Sequence, residues 1–355
     1  MKEIAFKSIV LSVFFLGYLS LSMAQNESEL DIELMKRAYE LVEEAIVIDA
    51  HAHAADLKEF TGQMSPAGNS QLTLDYMKKG KVDGVGLFFA YYPIEGKSLV
   101  SKVKEDLSLL KDLINTNLPD VRIIESDEEM CLVRNNETFI IPGVEYFFGI
   151  FNDDVNTVDS LYEMGIRMVT LMDNEKDVLG KRHSENKNKY ELSQFGKQII
   201  QRMNHLGMLI DISHLGDPMQ RNVIRYSSAP VIASHSPVRS VHEVERNIPD
   251  DILKALSDKG GAIMITFNSG ALAGIENGRA PIDKLIDHID HAVKVAGIDH
   301  VGIGSDFNGS GRRSPKGLKD ASGFPLIAYH LLKRGYSDVD VEKIMGGNAL
   351  KVLSN

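Results

Sequence analysis

Three scarcities bound this chain before any motif is read. Cysteine occurs once, at Cys131, in 355 residues, so no internal disulfide can form and core packing must hold the fold even in an oxidising compartment. Basic residues fall short of acidic ones, 39 against 50, for a formal charge of −11. A phosphate backbone is gripped chiefly through a Lys and Arg excess, so nucleic acid is excluded as the main partner and a small molecule is expected. Long apolar runs are missing beyond the N-terminus, and the last residues read "KVLSN"; no membrane span or C-terminal lipid anchor is expected in the mature chain. What remains, 43% hydrophobic and 25% charged, is an ordinary globular balance.

The one apolar run, Ile9 to Ala24, follows Lys2 and Lys7 and closes with Ser22-Met23-Ala24 before Gln25. It is shorter than the ~20 residues of a bilayer span and ends in a small-x-small signature, the pattern of a secretory signal peptide. Residues 1–24 are therefore expected to be removed, leaving residues 25–355 as one exported domain, periplasmic or secreted.

Short β-branched runs then recur: "AIVIDAHAH" ending at His53, "VDGVGLFFAY" from Val82, "FIIPGVEYF" from Phe139, "GIRMVTLMD" from Gly165, "MLIDISH" from Met208, "PVIASHS" from Pro230, "GAIMITFN" from Gly261 and "HVGIGSDF" from His300. Between several lie segments with helical spacing of apolar residues, at 157–164, 193–207, 250–260 and 282–297. Strands apolar on both faces and alternating with helices belong to a covered parallel sheet. Eight such units predict a single-domain (β/α)8 barrel, with an open doubly wound sheet as the alternative.

The polar residues gather at the ends of these runs. His51 and His53 close the first, Glu145 lies near the end of the third, Asp173 ends the fourth, His214 the fifth, His235 lies in the sixth and Asp306 in the eighth. In a strand, positions i and i+2 share a face, so Asp49, His51 and His53 are expected to project together. Each residue alone has a plainer reading as a cap, turn or ion-pair residue. Together, at the carboxyl ends of barrel strands, they form one mouth, where active sites of this fold sit. Histidines with a carboxylate suit zinc, and a shared carboxylate can bridge two ions, a constellation that hydrolyses amides or esters. His288 and His291, in an amphipathic helical segment, are read as solvated or partly buried surface residues.

The stretches "VDGVGLFF", "PGVEYFFG", "LYEMGIRMVTL", "FGKQIIQRMNHLGMLIDISH", "SHSPVR", "RNIPDDIL", "VAGIDHVGIGSDFNG" and "IMGGNALKVL" resemble, in order and spacing, the membrane dipeptidase (renal dipeptidase) family of zinc metallopeptidases, amidohydrolase-like barrels. The resemblance spans nearly the whole mature chain. It implies a binuclear zinc site, two Zn2+ per chain, in which His51 and His53 bind one ion, His214 and His235 the other, and Glu145 bridges them. It implies that Asp306 is the catalytic acid, passing a proton from water to the leaving amine. Arg246, in "ERNIPDD", matches the arginine that grips the substrate's terminal carboxylate.

Two positions depart from the family pattern. His53 stands where the family usually has the aspartate of H-x-D, which removes one negative charge but keeps a metal ligand. Asp173 stands where the family usually places a histidine; an aspartate there could accept from a dipeptide's α-ammonium, and His183 in the following loop could replace the missing donor. The expected activity is hydrolysis of dipeptides, D-residues in the second position included. A metal-dependent deacylase or cyclic-amide hydrolase is the second reading, and a non-catalytic binding protein on the same barrel the third. A homodimer is compatible with the sequence and not read from it.

Overall fold

The computed structural model describes residues 30–354 except 64–69, 92–97, 147–150, 152–153, 173–179, 184–185, 276 and 312. The segment 1–24 expected to be a signal peptide lies outside the described residues. Eleven strands are described: β1 Ile48–Ala52, β2 Gly84–Tyr91, β3 Val121–Ile123, β4 Thr138–Tyr146, β5 Met168–Met172, β6 Gly180–His183, β7 Asn186–Leu192, β8 Leu209–His214, β9 Val231–Ala233, β10 Ala262–Ile265 and β11 Val301–Ile303.

Eight of them run parallel in the order β1-β2-β4-β5-β8-β9-β10-β11, and these are the eight apolar runs of the sequence. The ring closes through two backbone bonds between β1 and the turn after β11, Asp306 N to His51 O at 2.8 Å and His53 N to Phe307 O at 3.0 Å. The molecule is a single-domain (β/α)8 barrel. Two additions escaped the sequence reading: β3, which pairs in parallel with the first residues of β4, Thr138 to Ile140, and the antiparallel hairpin β6–β7.

Side chains along each strand alternate between two cores, as the period of two demands. Phe139, Ile141, Met168, Ile232 and Met264 fill the barrel, whereas Ile140, Val169, Val231, Ile263 and Ile265 face the helices. The helices are built from caps and stripes. In Gln194–Leu206, Ser193 accepts from Gly196 N, Ile199, Ile200 and Met203 are buried, and Gly207 at φ 72° ends the helix in the left-handed conformation that a glycine adopts without strain. Asp250–Asp258 buries Ile252, Leu253 and Leu256, and Ile282–Ala296 buries Leu285, Ile286 and Ile289.

His288 corrects the sequence reading. It is fully buried, accepting from Val238 N at Nδ1 and donating to Leu272 O at Nε2, and burial pushes its pKa down to about 4. Its helix packs a polar residue inward because both ring nitrogens find backbone partners. His291 is half-buried as expected, 2.9 Å from Asp250. Among the described residues, no helix is long and apolar enough to cross a membrane.

Candidate metal centre

β1 delivers two imidazoles to the mouth of the barrel. Its register against β2 shifts between Asp49 and Ala52, so strict alternation lapses where the histidines begin. Asp49, expected on their face, instead accepts from Ser305 N and Ser305 Oγ at 2.8 and 2.6 Å. The His51 and His53 Nε2 atoms stand 3.2 Å apart. Phe88 on β2 serves both rings: it stacks on His51 with centroids 3.8 Å apart, and its carbonyl accepts from His53 Nδ1 at 3.0 Å. Glycine at 143 makes room for that stack, since a Cβ there would lie 2.7 Å from the Phe88 ring.

Glu145, on β4, divides its two oxygens between two histidine pairs. Oε2 is 3.2 Å from His53 Nε2 and 3.7 Å from His51 Nε2, while Oε1 is 2.8 Å from His214 Nε2 and 3.5 Å from His235 Nε2. The His214 and His235 Nε2 atoms are themselves 2.8 Å apart. Burial alone would raise the Glu145 pKa, but His214, His51 and His53 together hold the carboxyl well below the usual carboxylate range. Burial would likewise lower His53, yet Asp306 and Glu145 push it up to about 10. His235 is held well below the ordinary histidine value by burial and by His51.

These residues fit divalent ions. Two nitrogens bound to one tetrahedral zinc at ~2.0 Å stand about 3.3 Å apart, close to the separations found in both pairs. Glu145 Oε1 is buried and makes no hydrogen bond, leaving an anionic lone pair directed into a ring of imidazoles. Two triads have ligand atoms within 4.8 Å of one another, His51 with Glu145 and His235, and His51 with His53 and Asp306. His51 thus belongs to both groups. The mixed imidazole and carboxylate donors suit zinc.

Asp306 follows β11 with φ 59°, a left-handed conformation uncommon outside glycine. Its Oδ1 is 3.5 Å from His53 Nε2. Gly309 sits against this pair: a Cβ there would lie 2.0 Å from Asp306 Oδ1 and 2.9 Å from His53 Nε2. His53, Glu145, His214 and Asp306 line a cavity of about 510 Å³ together with Leu57, Phe89 and Leu109. Arg246 lies beside the second histidine pair, donating to Ser236 Oγ and His235 O at 3.0 Å each, with Nη2 3.5 Å from His214 Nε2. Burial lowers its pKa from the ordinary arginine value. Two of its five N–H groups are spent on Ser236 and His235 and a third faces His214, so the fork still has two donors for an anion.

The structure therefore brings together His51, His53, Glu145, His214, His235, Asp306 and Arg246. Asp173 and the side chain of His183 lie outside the described residues. A supporting layer was missed from sequence: Phe88, Thr170, Asp211, Ser213, Ser234 and Asn308, whose Nδ2 donates to His53 O at 2.7 Å. The available signal was adjacency, since Asp211, Ser213 and Ser234 are within three residues of a ligand in "DISH" and "ASHS".

Residues 35–355 match the sequence pattern of the family described as membrane dipeptidase, Peptidase family M19. Mouse Dipeptidase 3 is 31% identical over 336 residues, covering 91% of this chain and 66% of the mouse protein, so this chain spans just under two thirds of that relative's length. In structure the chain is similar to the probable dipeptidase PvdM from Pseudomonas aeruginosa, at TM-score 0.78 and 24% identity, over 91% of this chain and 98% of that one. It is also similar to a metallo peptidase from Rhodobacter sphaeroides liganded with a phosphinate mimic of the dipeptide L-Ala-D-Ala, at TM-score 0.73 and 21% identity, over 87% and 99% of the two chains. With its barrel, its ligand cluster and a match over nearly all described residues, this chain belongs to the membrane dipeptidase family, Peptidase family M19.

Proposed function

We propose that this chain is an exported, binuclear zinc dipeptidase. The observation that carries the reading is the division of Glu145: each carboxylate oxygen faces its own pair of histidine Nε2 atoms, His51 with His53 and His214 with His235. On this reading each histidine pair would hold one ion, with Glu145 shared between the two. Such a pair of ions supplies Lewis acidity toward water and toward the scissile carbonyl.

The chain's own residues do the rest. Asp306 holds and moves the proton at Oδ1, taking it from the attacking water and passing it to the leaving amine. Arg246 grips the terminal carboxylate of the substrate with the N–H groups left free by Ser236 and His235. Asp173 meets the α-ammonium, selecting a free N-terminus by charge. The names of the relatives support dipeptides as the substrate class, and the phosphinate ligand of the Rhodobacter protein supports a D-residue in the second position.

Metal analysis and a substrate panel test this. The purified protein is expected to carry two zinc ions and to hydrolyse L,L- and L,D-dipeptides faster than N-acyl amino acids. Active protein with one ion or none overturns the binuclear assignment. Zinc-loaded protein that cleaves N-acyl amino acids and no dipeptide establishes the deacylase reading instead.

A further inference from the structure

Beneath the metal centre lies a hydroxyl that touches both of its halves. Ser234, fully buried between β9 and β8, places Oγ 2.7 Å from His51 Nδ1, 2.9 Å from His235 Nδ1 and 2.5 Å from Asp211 Oδ2. A serine hydroxyl has one hydrogen to give and two lone pairs with which to accept. The Asp211 carboxylate can only accept, and its five neighbours are all donors: Ser213 N, Ser213 Oγ and Ser234 N around Oδ1, with Thr170 Oγ1 and Ser234 Oγ around Oδ2. The single hydrogen of Ser234 is therefore committed to Asp211. Both lone pairs must then be met by ring N–H groups, one from His51 and one from His235.

The consequence reaches the ligand side of each ring. A neutral imidazole carries its hydrogen on one nitrogen, so Nδ1–H leaves Nε2 as a bare lone pair aimed at the ion. His51 and His235 stand in different ligand pairs around Glu145, so one hydroxyl sets the donor form of one ligand in each pair. We propose that Ser234, locked by Asp211, is the positioning residue that fixes the Nδ1–H form of both His51 and His235 and so prepares the two ion sites together. The effect on the ions rests on the binuclear reading above; the ring assignment does not.

The ring assignment is measurable without metal. In metal-free wild-type protein with 15N-labelled histidine, at alkaline pH, long-range proton–nitrogen correlations are expected to show His51 and His235 both as Nδ1–H. Either ring found as Nε2–H overturns the proposal. Asp211→Asn places an NH₂ donor against Ser234 or Thr170, frees the serine hydrogen toward a ring and is expected to move at least one of the two rings to Nε2–H. Wild-type ring forms in that variant overturn the role of Asp211.

Zinc titration against a chelating competitor supplies the second readout. Ser234→Ala is expected to weaken both ions by roughly 10- to 100-fold, the usual effect of losing a ligand's outer partner, and Ser234→Thr, which keeps the hydroxyl, to restore most of it. A folded Ser234→Ala protein with only one site weakened, or neither, overturns the proposal. If Ser234→Ala does not fold, the wild-type ring forms and Asp211→Asn still decide. Wild-type protein that shows both Nδ1–H rings yet takes up no zinc refutes the metal reading and upholds the ring assignment.

Discussion

Gly309 offers a way to disturb the reacting groups without disturbing the barrel. Its φ is not in the left-handed range, so the backbone accepts alanine, and the residue is exposed at the mouth. The cost of Gly309→Ala is set by what the new methyl meets: Asp306 Oδ1 at 2.0 Å and the His53 ring at 2.7 Å. To reach ordinary contact at about 3.4 Å, the carboxylate must retreat by about 1.4 Å and the ring by about 0.7 Å, and displacements of about 1 Å at a reacting group cost about 10²-fold in rate. Both obstacles are side-chain ends, so the fold can yield locally and unfolding free energy should change by less than about 1 kcal/mol, in the range of surface substitutions. The assay is steady-state hydrolysis of a dipeptide by zinc-loaded protein, with a urea melt of the same preparation. The expected result is kcat down about two orders of magnitude and a nearly unchanged melt. Wild-type kcat in Gly309→Ala would refute the reasoning, because it would mean that neither Asp306 nor His53 needs its observed position.

Three further outcomes are expected. Arg246→Ala should reduce kcat/KM on a free dipeptide by the equivalent of about 2–5 kcal/mol, the cost of leaving a charged partner unpaired, and should affect the C-terminal amide of the same dipeptide far less; equal losses would remove Arg246 from carboxylate binding. Asp306→Asn should lower kcat about 10²-fold or more with a smaller change in KM, and wild-type turnover would remove it from proton transfer. His288, buried with its pKa pushed down to about 4, stays neutral in the fold while the unfolded chain takes up a proton near the ordinary 6.5. Its stabilisation is therefore complete above pH 6.5 and falls by about 3 kcal/mol as pH drops to 4. Urea midpoints of wild type and His288→Gln between pH 7.5 and 5 should converge on acidification, and parallel curves would contradict the assignment.

The barrel was legible because each of its strands is buried on both faces and so writes a largely apolar run, as "VIA" and "AIMI" do. The candidate ligands were legible because they end those runs. β3 was not, since its three residues are only half-buried and carry Arg122 in the middle, and the β6–β7 hairpin, "GKRH" and "NKNKYEL", has no apolar stripe at all. His288 misled because a histidine on an amphipathic helix carries no mark of its partners: Val238 N is fifty positions away in sequence and Leu272 O sixteen. Asp211 and Ser234 escaped for a related reason. A serine beside a histidine is ordinary, and its meaning appears only when a third strand brings His51 across 183 positions to the same hydroxyl.

The seam of the barrel and the reacting groups share the same bonds. Closure between β1 and β11 runs through the backbone of His51, His53, Asp306 and Phe307, which are two metal-ligand candidates, the proposed proton carrier and its neighbour. Asp306 holds a left-handed backbone at φ 59°, and such a conformation persists in a non-glycine residue only where its surroundings over-determine it. Here they do: its N–H is bound by His51 O, Ser305 before it is clamped by Asp49, and Phe307 after it donates to Ser305 Oγ at 3.0 Å. Asp49 therefore does not sit with the histidines as strict alternation would have it. It holds the last strand against the first, and the aim of the Asp306 carboxylate at His53 follows from that closure, so the contacts that complete the fold are also the contacts that place the proposed proton carrier beside a candidate metal ligand.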